Sequence, residues 1–245
     1  NASLIVLKDF PSSYRTALKH FLSEGYVRIP SFPACKINLA YRDFDDFMER
    51  GLSYKTRKNL RRKFRDADRL DKYSMEILLD LAPVVDEVYP LYQQVATRSQ
   101  FKFEVLTKEY FTGLAGAFEG NGRFFIWRDS RGKIVAFNIC VQYGKILRDC
   151  YIGLDYEIAL SAHLYFVSFR DIFSWAMKNH IEQYHTSGLN YSPKLHLRLE
   201  LMPLDLYIRH ASPVINFFFQ RLVPLLEPTR YDPVLPKFPN FRDLR

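Results

Sequence analysis

Apolar residues recur along the chain at spacings that predict both strands and helices. Near the N-terminus the runs "SLIVLKDF" and "VRIPSFPACKINLAY" are typical of strands, and "SYRTALKHFLSEG" between them is typical of a helix. A longer helix with one apolar stripe is predicted where such residues recur at i, i+4, i+7 and i+10: Leu60, Phe64, Ala67 and Leu70. Ser53 precedes this helix in a position to cap its first turn.

From residue 74 onward the pattern predicts a definite order of elements. A strand at Ser74–Leu81 is followed by two helices, the second capped by Thr107 and ended by Gly120. Three segments separated by short turns predict an antiparallel meander: Arg123–Asp129, Lys133–Tyr143 and Lys145–Asp155. The remaining elements are a long helix at Ser161–His180, a short strand, a helical turn, a last strand at Met202–His210, and a short apolar helix with a Pro-rich tail.

Composition excludes several classes of protein. Hydrophobic residues make up 48% of the 245 residues, which predicts a globular chain rather than a disordered one. Apolar runs such as Val214–Phe219 are far shorter than the roughly 20 residues that cross a bilayer, so we expect no membrane span. The three cysteines are odd in number and lack metal-binding spacing, which favours a reducing, cytoplasmic setting without a metal site. The sequence also lacks the nucleophile-elbow, zinc-protease and phosphate-loop motifs.

The positive charge is concentrated in one segment. The chain has 35 Lys and Arg against 27 Asp and Glu, a formal charge of +8, and seven of the basic residues lie between Lys55 and Arg65. The rest of the chain therefore carries a charge of only +1. Because these cations cover the faces that the apolar stripe leaves, the segment predicts an amphipathic helix that docks by its stripe.

This order of elements resembles that of the GNAT acyltransferase superfamily. The segment "SGLNYSPKLHLRLELMPLDLYIRH" resembles the Gly…Tyr-x-x-Lys stretch of the FemAB-like and related bacterial N-acyltransferases, which ends in an extended strand. The run "LSYKTRKNLRRKFRDADR" resembles the basic helix that enters the second GNAT unit of those proteins. The resemblance implies an α/β (α+β) fold, a GNAT-like mixed sheet flanked by helices, with a partial second GNAT-like unit at the N-terminus.

The resemblance also implies a division of the chain. We expect a partial GNAT-like unit at residues 1–49, a basic connecting helix at 50–72, a GNAT-like acyltransferase domain at 73–211, and a C-terminal helix with a wrapping tail at 212–245.

One departure from the superfamily concerns the acyl donor. Acetyl-CoA-binding GNAT proteins carry Gln/Arg-x-x-Gly-x-Gly/Ala before the long helix, where backbone amides cradle pyrophosphate. This chain has "DYEIALSAHLYF" there, with no glycine between Gly153 and Gly188. The FemAB-like relatives lack the motif as well, and many take the acyl group from aminoacyl-tRNA. We therefore expect no tightly bound cofactor, with acyl-CoA or another acyl donor as co-substrate.

Five residues are candidates for the chemistry that the resemblance implies. Amine acylation requires stabilisation of an oxyanion and transfer of protons. Lys194 is the candidate for the oxyanion, and Tyr191, on the same helical face, for protonating the leaving group. Asp155 is a candidate to accept the amine proton or to hold a cationic acceptor, and His163 and His185 are candidates for the base. Each has a structural alternative: a surface lysine, a packed tyrosine, a solvated acid or a structural histidine.

The basic helix is the predicted donor-binding element. Arg57, Arg61 and Arg65, at i, i+4 and i+8, should form one exposed row, with Lys58 and Arg62 beside it and Ser161 meeting a phosphate at the start of the long helix. The partners are then an amine acceptor and a polyanionic donor, which is a CoA thioester, a carrier protein or aminoacyl-tRNA. Two alternatives stay open: a nucleic-acid-binding module without catalysis, and an inert GNAT-like interaction domain.

Overall fold

The structure, a computed structural model, describes residues 2–99 and 105–245. The strands in this part of the chain are β1 (Leu4–Pro11), β2 (Val27–Pro30), β3 (Ala34–Asn38), β4 (Ser74–Leu78), β5 (Gly122–Arg128), β6 (Ile134–Tyr143), β7 (Ile146–Leu154), β8 (Gln183–Thr186), β9 (Glu200–Met202) and β10 (Leu204–His210). The helices are α1 (His20–Ser23), α2 (Phe44–Asp46), α3 (Tyr54–Leu70), α4 (Val85–Arg98), α5 (Lys108–Ala117), α6 (Leu164–Lys178), α7 (Tyr191–His196) and α8 (Pro213–Leu222). None of these helices is both long and apolar enough to cross a bilayer. The predicted mixed α/β class is confirmed.

The chain divides into two compact units. The first unit joins the residues up to Ile37 to Thr186–Arg245, and the second unit is Asn38–His185. This division cuts across the predicted boundaries, which place residues 186–211 with the meander. The expected domain boundaries stay a prediction; within residues 186–211, β10 forms backbone hydrogen bonds with β1 and β2 of the N-terminal segment.

The second unit contains the predicted meander. β5 pairs antiparallel with β4 and β6, and β6 pairs antiparallel with β7, so the antiparallel arrangement is confirmed. Successive side chains of β5 point to opposite faces of the sheet. Phe124 joins the core cluster of α4 and α5. Phe125 packs edge-on against Trp175 of α6, and Trp127 Nε1 donates to Asp171 of α6 at 2.8 Å. The sheet is therefore covered by α4 and α5 on one face and by α6 on the other.

Helix α3 begins and docks largely as its sequence predicts. Ser53 Oγ accepts a hydrogen bond from the Thr56 amide at 3.3 Å, which confirms the predicted cap. Leu60 and Ala67 are buried, and α3 packs against α6. The prediction is wrong for the last residue of the stripe, because Leu70 at the end of the helix is 57% exposed.

The first unit contains a three-stranded sheet in the order β1-β10-β2, and β3 pairs antiparallel with β9. The predicted last strand is interrupted at Pro203, which lacks the N–H that a continuous ladder needs. The prediction that this strand extends the meander sheet is therefore wrong for β10. Arg15 and Arg28 both bind the fully buried carboxylate of Asp205, which ties the segment before α1 and β2 to β10.

A glycine in the meander provides a test of the described packing. Gly153 of β7 lies opposite Phe137 of β6, and an added Cβ would approach the Phe137 ring to 2.0 Å. We expect Gly153→Ala to lower the free energy of unfolding by about 1–3 kcal/mol, because overpacking displaces the ring. The matched control Gly113→Ala on α5 meets nothing within 4 Å and should be stabilising by up to about 1 kcal/mol. Equal denaturation midpoints for the parent and Gly153→Ala would contradict this packing.

Candidate donor-binding and acyl-transfer site

The start of α6 lies beside the basic helix α3. His163 precedes α6 in the left-handed conformation, with φ of 49°, and its Nε2 lies 4.0 Å from a carboxylate oxygen of Asp66. Lys63 Nζ lies 3.7 Å from the centre of the Phe166 ring, in the first turn of α6. The structure thus brings a predicted proton acceptor next to the predicted donor-binding helix.

The exposed cations of α3 differ from the predicted row. Arg57 is only 20% exposed and donates to the carbonyls of Glu49 and Leu52 at 2.7 and 3.1 Å, so it anchors the helix. Arg61 forms an ion pair with the Glu49 carboxylate. The prediction that Arg57 belongs to an exposed row is therefore wrong. Five exposed cations share the outward face at i, i+3, i+7, i+10 and i+14, and we call them the basic row: Lys55, Lys58, Arg62, Arg65 and Arg69.

The connection from β7 to α6 is a closed turn. Asp155 accepts the Glu157 amide through its carboxylate at 3.1 Å and the Ala159 amide through its carbonyl at 2.7 Å. The Tyr156 amide donates to Gln94 Oε1 at 2.9 Å. These bonds occupy amides at the place where the acetyl-CoA-binding GNAT pattern offers them to pyrophosphate. Where the glycines of the superfamily pattern are missing, the amides of Tyr156, Glu157 and Ala159 already donate hydrogen bonds within the protein.

The remaining second-unit candidates differ in their surroundings. Asp155 is buried and binds Lys133 Nζ at 2.6 Å. Ser161 is exposed, and its hydroxyl donates to the Ile158 carbonyl at 3.0 Å. His185 is buried with its Nε2 2.9 Å from Gln183.

His163 is only partly buried, and its surroundings shift its titration. Burial lowers its pKa, Lys63 and Arg62 lower it further, and Asp66 opposes them. Because the ordinary pKa of histidine is about 6.5, the imidazole is neutral at pH 7 and can accept a proton.

In the first unit, Tyr191 and Lys194 share one face of α7, as their spacing predicts. Lys194 Nζ lies 5.8 Å from the centre of the Tyr191 ring. The Tyr191 hydroxyl donates to the Pro33 carbonyl at 2.9 Å, and burial raises its pKa. Both side chains are buried rather than displayed on a surface loop.

The ammonium of Lys194 holds the loop that precedes α7. It donates to the carbonyls of Ser187 and Leu189 at 2.6 and 2.8 Å. Leu189 and Asn190 both have positive φ values, 67° and 46°, a conformation that costs a non-glycine residue on the order of 1–3 kcal/mol. Lys194 therefore stabilises a strained stretch of backbone.

A buried polar cluster in the second unit is not among the residues predicted from the sequence. Asp149 of β7 accepts from Asn138 Nδ2 of β6 at 2.8 Å and from the Tyr184 hydroxyl of β8 at 2.5 Å. A β-bulge at Cys150 lies next to it, since Ile139 pairs with Tyr151 while the following pair is Cys140 with Asp149. One sequence signal could have identified Asp149. It lies two residues after Leu147 in a predicted strand, and side chains two residues apart in a strand point to the same face of the sheet.

Substitution of Lys194 separates its structural role from its predicted catalytic one. Lys194→Met should lower the free energy of unfolding by about 1–3 kcal/mol, because the Ser187 and Leu189 carbonyls lose their charged donor. If Lys194 also stabilises the oxyanion, kcat should fall by about 10²–10³ with little change in KM. The exposed Lys237→Met is the control and should change neither quantity. A folded Lys194→Met variant with the parent's kcat would remove Lys194 from the chemistry.

The titration of His163 tests the described contact between α3 and α6. Lys63→Met should raise the pKa of His163, because it removes a nearby positive charge and keeps the apolar stem over the Phe166 ring. Asp66→Asn should lower the pKa of His163, because it removes the opposing negative charge. NMR titration of the imidazole measures both shifts. Lys55→Met, on the outward face, is the control, and an equal effect of Lys55→Met and Lys63→Met would contradict this geometry.

Comparisons with known proteins agree with this fold. The family model described as an acetyltransferase (GNAT) domain matches residues 54–192, more than half of the chain. A search of curated proteins found no significant match.

Several solved structures share the fold at low sequence identity. The structure of L-PGS from Bacillus licheniformis matches with a TM-score of 0.60 and 14% identity, over 90% of this chain and 73% of that one. The C-terminal domain of a putative lysylphosphatidylglycerol synthetase from Agrobacterium fabrum matches with a TM-score of 0.60 and 12% identity, over 91% and 71%. FemX matches with a TM-score of 0.58 and 11% identity, over 83% and 72%. The chain therefore belongs to the GNAT superfamily of acyltransferases and has a FemAB-like fold.

Proposed function

We propose that this GNAT acyltransferase moves an acyl or aminoacyl group from a polyanionic donor to an amine acceptor by direct attack. The observation that carries the proposal is the contact between α3 and the start of α6, which places the basic row on the helix that packs beside His163. Arg62, a member of the row, is close enough to His163 to lower its pKa, so a polyanion bound at Arg62 comes near a neutral imidazole, which is the form that accepts a proton.

Side chains, rather than backbone amides, hold the donor in this proposal. The amides of the turn after β7 are bonded to Asp155 and Gln94, so the positive charge of α3 takes over the binding of phosphate. The basic row extends over 14 residues, which is about 21 Å along a helix. This length suits the repeated phosphates of a tRNA acceptor stem better than the compact phosphate groups of CoA.

Aminoacyl-tRNA is therefore the favoured donor among the three expected classes. One protein with the same fold is named a putative lysylphosphatidylglycerol synthetase, and that name describes an aminoacylated lipid. The proposal takes from it only the aminoacyl nature of the transferred group. The donor acts as a co-substrate, and no tightly bound cofactor is needed.

In the proposed reaction the amine nitrogen attacks the acyl carbon. The new C–N bond forms as the C–O or C–S bond to the donor breaks, and His163 accepts the proton that the amine loses. The oxyanion role of Lys194 and the proton-donor role of Tyr191 stay predictions from the sequence, and substitution of Lys194 tests the first of them. Asp155, with its carboxylate bonded to Lys133 and the turn, serves to hold the turn.

A nucleic-acid-binding module without catalysis is the second candidate. The same basic row favours it, because clustered cations bind phosphates without any reaction. The two candidates differ in whether a bound aminoacyl-tRNA loses its amino acid to an amine.

The basic row can be tested by binding at increasing salt concentration. Lys58→Gln, Arg62→Gln and Arg65→Gln combined should weaken binding of bulk aminoacylated tRNA and make its salt dependence shallower, by roughly one unit of slope for each phosphate that the variant no longer neutralises. The control combines Arg131→Gln, Lys145→Gln and Lys178→Gln, which removes the same charge elsewhere in the second unit. Fluorescence anisotropy measures both affinities, with acetyl-CoA as the alternative probe.

The outcomes separate the candidates. Equal affinities and slopes for the parent and the basic-row variant would contradict donor binding by α3. Binding of tRNA without transfer of its labelled amino acid to any of a panel of small amines would favour the non-catalytic module. Tight binding of acetyl-CoA alone would contradict the preference for tRNA.

A further inference from the structure

Helix α8 of the first unit directs polar side chains inward. Asn216 is buried, and its Oδ1 accepts the His210 amide at 2.9 Å while its Nδ2 donates to the Gly25 carbonyl at 2.8 Å. Gln220, one turn later, donates to the same Gly25 carbonyl at 2.7 Å. These hydrogen bonds fix the rotation of α8 about its axis, so its outward face is specified by the fold.

The outward side of α8 and the turn after it are apolar. Seven large side chains here each expose more than half of their surface, and we call them the apolar face: Val214, Ile215, Phe217, Phe218, Leu222, Leu225 and Leu226. Exposed apolar patches of this extent on soluble domains mark interaction sites. The start of β1 adds to the patch, since the Ala211 amide donates to the Ser3 carbonyl at 2.8 Å and Leu4 beside it is 44% exposed.

The unit that carries the apolar face has a net positive charge. The first unit has 13 Lys and Arg against seven Asp and Glu, a formal charge of +6 out of +8 for the chain. No acidic residue occurs between Pro213 and Leu226. Arg221 lies within this segment, with its guanidinium 3.8 Å from the centre of the Phe217 ring. An acidic partner surface is therefore favoured.

We propose that the apolar face docks the first unit on an anionic phospholipid bilayer. A helix of this length lies in the plane of the interface, with its apolar side chains entering the boundary between headgroups and acyl chains. Phe217 and Phe218 supply buried apolar area, and Arg221 reaches the lipid phosphates. A second copy of the chain fits less well, because a symmetric contact through this face brings two Arg221 side chains together without an acid between them.

Vesicle sedimentation tests the proposal with the full chain. The parent should bind vesicles of equal parts phosphatidylglycerol and phosphatidylcholine, and bind pure phosphatidylcholine more weakly. Phe217→Ser combined with Phe218→Ser should weaken the binding at least about tenfold, because two aromatic side chains no longer enter the bilayer. Arg221→Gln should reduce the preference for anionic vesicles.

The control is Leu79→Ser combined with Leu160→Ser, which removes two exposed apolar side chains from the second unit and should leave vesicle binding unchanged. Circular dichroism checks that every variant is folded. Absence of parent binding to anionic vesicles, or equal binding by the Phe217 and Phe218 variant, would overturn the proposal. So would a parent dimer in analytical ultracentrifugation that the same variant converts to a monomer. No acyl donor is present, so failure here leaves the acyl-transfer proposal untouched.

Discussion

The buried carboxylate of Asp149 is the constraint on which the second unit depends. An unpaired charge inside a protein costs several kcal/mol, so Asn138 and Tyr184 must lie within hydrogen-bonding distance of it. That requirement aligns β6, β7 and β8. Tyr184 also packs edge-on against Phe173 of α6, which places the helix over the sheet. The position of α6 in turn determines where α3 packs and which of its cations lie near His163.

Positive charge is used differently in the two units. In the second unit the seven clustered cations of α3 are offset by acids elsewhere, and some of these acids, such as Glu49, bind the helix directly. The basic row stays exposed, although its member Arg62 also pairs with Asp66 at 3.7 Å. In the first unit several acids form ion pairs within the unit, as Asp205 does with Arg15 and Arg28. Both units therefore carry a net positive charge, although the charge pattern along the sequence assigns the excess to α3 alone.

The loop before α7 has a strained backbone and lies beside two buried polar side chains. Leu189 and Asn190 adopt left-handed conformations that are unfavourable for residues other than glycine. Lys194 offsets this cost by binding the loop carbonyls, and Tyr191 binds Pro33 beside the loop. Such preorganised backbone is common at functional sites, which is consistent with the roles proposed for both residues.

The sequence by itself determined the elements whose signals are local. Alternation predicted the meander, and Ser53 and Thr107 marked the starts of two helices, because strand periodicity and capping depend on neighbouring residues. Only the tertiary structure decided that Arg57 is an anchor, that β10 pairs with β1, and that α8 exposes its phenylalanines. Each of these outcomes depends on a partner outside the element itself: Glu49 for Arg57, β1 for β10, and Gly25 for α8. The burial of a side chain is a property of what packs against it, and periodicity along one segment does not contain that information.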